Sequence, residues 1–137
     1  MAIHFNQTTP VFKLKNRSKI KNWIKFVIEK EGFKTGKIFF TFCTDEELLK
    51  INKQFLNHST YTDIITFDYC EENIIHGEIY ISFERVIENA KKENETFENE
   101  TLRVIIHGIL HLCGFKDKTL KDKKTMREKE DQMLAFF

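Results

Sequence analysis

Proline occurs once, at Pro10, and glycine only five times in 137 residues. Without a Pro/Gly/Ser-rich stretch there is no linker, so one domain spanning 1–137 is expected. Cysteine numbers three, Cys43, Cys70 and Cys113. An odd count with wide spacing and no CxxC argues against a disulfide framework and for a reducing compartment. Each is expected as a small buried hydrophobe. No apolar run approaches the roughly 18 residues needed to span a bilayer. The first residues carry neither a long apolar run nor a small-residue cleavage site. A soluble, cytoplasmic chain with no membrane partner is the expectation. An excess of one charge is also lacking: 22 basic and 21 acidic residues leave a net charge of +1. That balance speaks against a protein coated in nucleic acid and leaves a local basic patch open.

What the chain has in quantity is apolar side chain: 41% hydrophobic residues, 14 of them Phe. That supply allows one core without covalent staples. Residues 3–14 read as a strand or extended arm closed by Pro10 and Lys13. Over 18–31, Ile20, Trp23, Ile24, Val27 and Ile28 recur at helical spacing, and Gly32 supplies a stop. Residues 37–43 are β-branched and aromatic, hence a strand. Thr44 and Glu47 form a capping box for a helix over 45–56, which aligns Leu48, Ile51, Asn52 and Phe55. A polar loop (57–62), a strand (63–69) and a short strand (78–81) after Gly77 follow. Ser82 caps a helix running to about Asn94, 93–100 is a polar loop, and 101–113 is an apolar helix. Thr119 and Asp122 open a last helix over 120–136. The expected fold is α/β (α+β): a single mixed, mostly parallel sheet of about four strands covered by helices.

The chemistry concentrates in residues 107–117, HGILHLCGFKD. His107 and His111 stand at i and i+4, which brings their imidazoles onto one helix face about 6 Å apart. Leu102, Val104, Ile105, Ile106, Ile109, Leu110 and Leu112 surround them, so the helix is expected to be buried and each imidazole to need a partner. Two unrelated core histidines would satisfy that spacing. Gly114, where the helix can end, and Asp117, whose carboxylate the reversed chain can bring back, favour a shared metal instead. Three ligands would leave a fourth tetrahedral position for water, whose pKa a zinc ion lowers to about 7. The spacing follows HExxHxxGxxH with Gly108 replacing Glu and Asp117 replacing the third His. Gly108 removes the usual peptidase base, which argues against proteolysis.

The same stretch resembles the YbeY family of bacterial rRNA-maturation endoribonucleases, whose signature is HGxLHLxGYDH. The resemblance continues through Ile51-Asn52 and Thr62-Asp63-Ile64-Ile65-Thr66-Phe67, through Gly77-Glu78-Ile79-Tyr80-Ile81, and through Met126, Glu130 and Leu134. It implies a zincin-like metal helix holding one zinc ion through His107, His111 and the residue at 117. It also implies single-strand-directed endoribonuclease action in 16S rRNA 3′-end maturation and ribosome quality control. rRNA and the small ribosomal subunit would be the partners, with no small organic cofactor. Two positions depart from the pattern. Asp117 replaces a histidine, a competent ligand that shifts preference toward harder ions. Leu56 replaces an arginine, and leucine holds no phosphate.

No catalytic base stands out beyond a metal-bound water. His58 and Asp63 are weak candidates: His58 as a phosphate contact or solvated loop residue, Asp63 as a cap or as support for a ligand histidine. Glu78 and Asp68 are weaker still, and His4 and His76 are expected at the surface. Lys116, Lys118, Lys121, Lys123, Lys124 and Arg127 form either a solvated helix face or a basic rim for a polyanion. Lys13, Lys15, Arg17, Lys19 and Lys21 pose the same alternative. Besides the ribonuclease, two other functions remain: a zinc hydrolase of another substrate, and a non-catalytic ribosome-associated factor with a structural metal.

Overall fold

The computed structural model describes residues 3–56 and 62–137. Its elements, in chain order, are β1 (Ile3–Gln7), α1 (Arg17–Lys30), β2 (Lys34–Cys43), α2 (Asp45–Leu56), β3 (Ile64–Asp68), β4 (Ile74–Ser82), α3 (Phe83–Lys92), α4 (Phe97–Leu112) and α5 (Leu120–Leu134). The strands form one sheet in the order β1-β2-β4-β3. The β1–β2 and β2–β4 pairs are parallel, and β3 runs antiparallel to β4. This is the mixed, mostly parallel four-stranded sheet expected from the alternation of strands and helices.

Alternation along β2 and β4 fixes which face is buried. Ile38, Phe40 and Phe42 of β2, and Ile75, Ile79 and Ile81 of β4, are almost wholly removed from solvent. In the parallel register Phe40 stands beside Ile79 and Phe42 beside Ile81. The main core joins this face to the apolar stripe of α1 (Ile20, Trp23, Ile24, Val27, Ile28) and to Leu102, Val104, Ile105, Ile106, Ile109 and Leu110 of α4. On the opposite face Leu48 of α2 packs with Cys43 and Ile65 in a smaller cluster. One face of the sheet is thus fully covered, and α2 covers part of the other, where His4 and Phe39 stay exposed.

Several boundaries differ from the sequence reading. The first strand ends at Gln7 rather than running toward Leu14. Strand β4 begins at Ile74, not Glu78, because a tight turn closes there: Glu71 and Ile74 exchange backbone hydrogen bonds of 3.1 and 2.8 Å. Helix α4 starts at Phe97, inside what read as a polar loop. The Thr96 side chain accepts the Asn99 N–H, and Glu98 and Glu100 suit the positive end of the helix dipole. In α2, Leu48 and Asn52 are buried but Phe55 is 61% exposed. His76 is half-buried, not superficial: its Nδ1 accepts the Lys37 N–H at 2.9 Å, near an irregularity in the β2–β4 pairing. The caps at Thr44, Ser82 and Thr119 are as read, with reciprocal capping boxes at Thr44–Glu47 and Thr119–Asp122.

The three cysteines are unpaired; Cys43 is buried as expected, whereas Cys70 and Cys113 are half-buried. Burial, aided by nearby carboxylates, pushes the Cys43 thiol up to about 12, and burial first pushes Cys113 to about 12 and Cys70 to about 11. Thiolate is the nucleophile. Iodoacetamide at pH 8 is therefore expected to label the folded protein at least about 100-fold more slowly than the urea-unfolded chain. Mass spectrometry of timed aliquots checks this; equal labelling rates would contradict the burial.

Candidate active site

Gly108 sets how close α4 lies to the sheet. A β-carbon at 108 would stand 3.0 Å from Ile64 Cδ1 and 3.2 Å from Ile79 Cδ1. The glycine lets the helix press against β3 and β4, and a larger side chain there would have to displace Ile64 and Ile79. This approach brings the polar edge of α4 against the segment entering β3. Glu100, Arg103, Val104, His107 and His111 fall at one-turn intervals along α4 and line one cleft of about 480 Å³. Thr62, Asp63, Asn89, Glu93, Asp117, Arg127 and Glu130 complete its walls.

His107 is the hub. Its Nδ1 lies 2.7 Å from Glu130 Oε2, and its Nε2 lies 3.6 Å from Asp117 Oδ2. Glu130 Oε1 accepts from Arg103 at 3.0 Å, and the same guanidinium donates to Asp131 at 2.7 Å. Burial pulls the His107 pKa down, but the Glu130 hydrogen bond and the charges of Glu130, Asp117 and Asp63 outweigh it, so it lies above the ordinary histidine value. Asp63 accepts from Asn89 Nδ2 at 3.2 Å, and its pKa is raised, chiefly by burial.

The chain reverses after α4 through Gly114, at φ +105°. Gly114 N–H donates to the His111 carbonyl and Phe115 N–H to the Leu110 carbonyl, the glycine stop read from sequence. No atom lies within 4 Å of a β-carbon built at 114, so a substitution meets backbone strain alone. Gly114→Ala is expected to cost about 1–2 kcal/mol. Urea denaturation measures this; a gain in stability would show that the positive φ imposes no strain.

The structure brings His107, Asp117 and Asp63 around one cleft, with His111 on its wall. One expectation is corrected. The imidazoles are not both buried: His107 is half-buried and His111 is exposed, because α4 lies at the cleft margin on that side. His111 Nδ1 lies 3.2 Å from the Phe115 carbonyl, and among the described residues no three His, Cys, Asp or Glu side chains close into a metal-holding group. Of the six basic residues expected at a rim only Arg127 lines the cleft, 3.9 Å from Glu93; the five lysines project into solvent as a hydrated face. Glu78 and Asp68 do not line it, Glu78 instead accepting from Tyr80 and Asp68 from the Cys70 N–H. His58 lies outside the described residues. Sequence reasoning did not single out Arg103, Asn89 or Glu100. Glu100 is 5% exposed, burial raises its pKa, and its Oε1 has no hydrogen-bond partner among the described residues. The spacing 100-103-107-111 was a usable signal for two of them.

A polar cleft of imidazole, carboxylate and guanidinium groups thus lies against the mixed α/β sheet. The sequence profile of the family described as Endoribonuclease YbeY matches residues 2–137. A protein of that name from Christiangramia forsetii is 52% identical over 126 residues, covering 92% of this chain and 88% of the relative. Another, from Flavobacterium johnsoniae, is 50% identical over 135 residues, covering 98% and 96%. The solution structure of TM1509 from Thermotoga maritima superposes with a TM-score of 0.68 at 31% identity, covering 97% of this chain and 87% of that one. The chain belongs to the YbeY family of endoribonucleases, hydrolases of RNA phosphodiester bonds. Among the described residues, no helix is long and apolar enough to cross a membrane.

Proposed function

We propose that this chain acts as a single-domain, metal-dependent endoribonuclease on single-stranded rRNA. Its proposed task is maturation of the 16S rRNA 3′ end and ribosome quality control, in the cytoplasm and in contact with the small subunit. The observation that carries the reading is the His107–Asp117 pair within an acidic cleft. Their 3.6 Å separation is too wide for a good hydrogen bond. It is close to the roughly 3.3 Å that separates two ligands of one tetrahedral zinc ion. Among the described residues lining the cleft, the carboxyl groups of Asp63, Glu93, Glu100, Asp117 and Glu130 are met by two guanidinium groups, Arg103 and Arg127, and by the two imidazoles. Such a surface repels phosphate unless a cation stands between them.

His107, His111 and Asp117 are the residues that would hold one zinc ion. Both histidines engage a partner through Nδ1, which leaves Nε2 as the coordinating atom. When bound, the ion supplies positive charge toward the phosphodiester and makes water more acidic. Asp63, which accepts from Asn89 at the cleft wall, is one candidate to take a proton from an attacking water. His58 is the other candidate for proton transfer or phosphate contact.

A second reading is a ribosome-associated factor whose metal is structural. It is favoured by Leu56, which is 42% exposed and puts an apolar group where the family carries arginine. Cleavage of a labelled single-stranded oligoribonucleotide decides between them. Native protein is expected to cut it, to lose activity after chelation and to regain it with added zinc, while a duplex of the same sequence is spared. Stoichiometric zinc with no cleavage of any RNA would favour the second reading.

A further inference from the structure

Glu130 is 5% exposed and reaches the cleft from α5. Its two oxygens have separate partners: Oε2 meets His107 Nδ1 at 2.7 Å, and Oε1 accepts from Arg103 Nη1 at 3.0 Å. Arg103 lies four residues before His107 on α4 and also donates to Asp131, the residue after Glu130, at 2.7 Å. A carboxylate gripped on one oxygen by a guanidinium that is itself anchored elsewhere cannot rotate freely. An ionised carboxylate only accepts, so the hydrogen on the His107 ring must sit on Nδ1. In the neutral ring the lone pair is then on Nε2, the atom that faces Asp117.

We infer that Glu130 is a positioning residue for His107: clamped by Arg103 across the α4–α5 contact, it selects the ring tautomer and orientation that present Nε2 to a metal ion. The inference rests on the metal-binding reading above. It assigns to α5 a task in the site that the HGILHLCGFKD stretch does not contain. A merely structural role for Glu130, joining α4 to α5, is separable: Arg103–Asp131 and the buried Met126 and Met133 also make that contact.

The test is competition for zinc between the full-length protein and a chromophoric chelator, with the cobalt(II) absorption spectrum as a second readout. Glu130→Gln keeps size and removes charge, while Glu128→Gln changes an exposed carboxylate on the same helix. Glu130→Gln is expected to weaken zinc binding about 10–100-fold and to alter the cobalt spectrum, with Glu128→Gln unchanged. Native-like zinc affinity and cobalt spectrum in Glu130→Gln would overturn the inference while leaving the metal reading intact. A native protein that takes up no zinc would overturn both. If Glu130→Gln does not fold, nitrogen-15 NMR of the native metal-free protein at pH 8.5 decides. His107 is expected as the Nδ1–H tautomer, and an Nε2–H ring would refute the assignment.

Discussion

His107→Ala is expected to lower RNA cleavage by about 10³-fold or more and to abolish stoichiometric zinc uptake. A factor of 10³ corresponds to about 4 kcal/mol of lost transition-state stabilisation. Removal of a single preorganised hydrogen-bond donor in other hydrolases has cost about 10²–10³. The loss of a cation that offsets phosphate charge in a cleft of five carboxylates should be no smaller. The variant also leaves a buried carboxylate oxygen on Glu130 short of a partner, so a stability loss of about 1–3 kcal/mol is expected beside the functional one. His4→Ala is the control: His4 is exposed, stacks on Phe39 at 5.0 Å and does not line the cleft. Gel-resolved cleavage with metal analysis of the same preparations measures both effects. Undiminished cleavage by metal-free His107→Ala would sink the proposed site.

Trp23→Ala is expected to destabilise the protein by about 3–5 kcal/mol, the usual cost of emptying a buried indole site. Trp23 is 4% exposed on α1, and its indole N–H donates to the Met133 carbonyl at 2.8 Å. Its ring meets Phe137 edge-on at a centroid distance of 5.1 Å. The side chain thus seals the main core and closes the C-terminal end of α5. Domains of this size are stable by only about 5–15 kcal/mol, so the variant would forfeit a large part of the total. Chemical denaturation followed by circular dichroism gives the number, and a loss below 1 kcal/mol would show that the site collapses without penalty. Trp23→Phe should fall between, since it refills most of the volume but leaves the Met133 carbonyl without its donor.

Elements whose signals are local were legible in the sequence. The 3.6-residue stripe of α1 matches the buried set Ile20, Trp23, Ile24, Val27 and Ile28, and the capping boxes mark the starts of α2 and α5. Elements set by tertiary partners were less so. Residues 97–100 look like loop because three of the four, Glu98, Asn99 and Glu100, are polar, yet Phe97 packs against the core and Glu100 is buried in the cleft wall. Strand β4 extends upstream of Gly77 because the glycine is needed for packing, not for a break: a β-carbon there would stand 2.8 Å from the Phe67 carbonyl oxygen. At the site, the His107, His111 and Asp117 stretch could be read because helix period and glycine stop act over a few residues. The hold of Glu130 on His107 could not, because it spans 23 positions and depends on how α5 docks. Of the two alternatives left open for the lysines after Gly114, the solvated helix face fits their exposure, and the cleft itself is lined by carboxylates.

The proposed ligands all lie between residues 107 and 117, astride the Gly114 reversal. A donor set this compact in sequence survives in part when the protein is denatured, since two histidines one helical turn apart and a nearby aspartate remain tethered. Zinc would then associate with the unfolded chain as well as the native one, and that residual affinity subtracts from ligand-induced stabilisation. Raising zinc concentration should therefore shift the melting temperature less than native-state affinity predicts. Zinc capture during synthesis would not have to wait for the sheet to close.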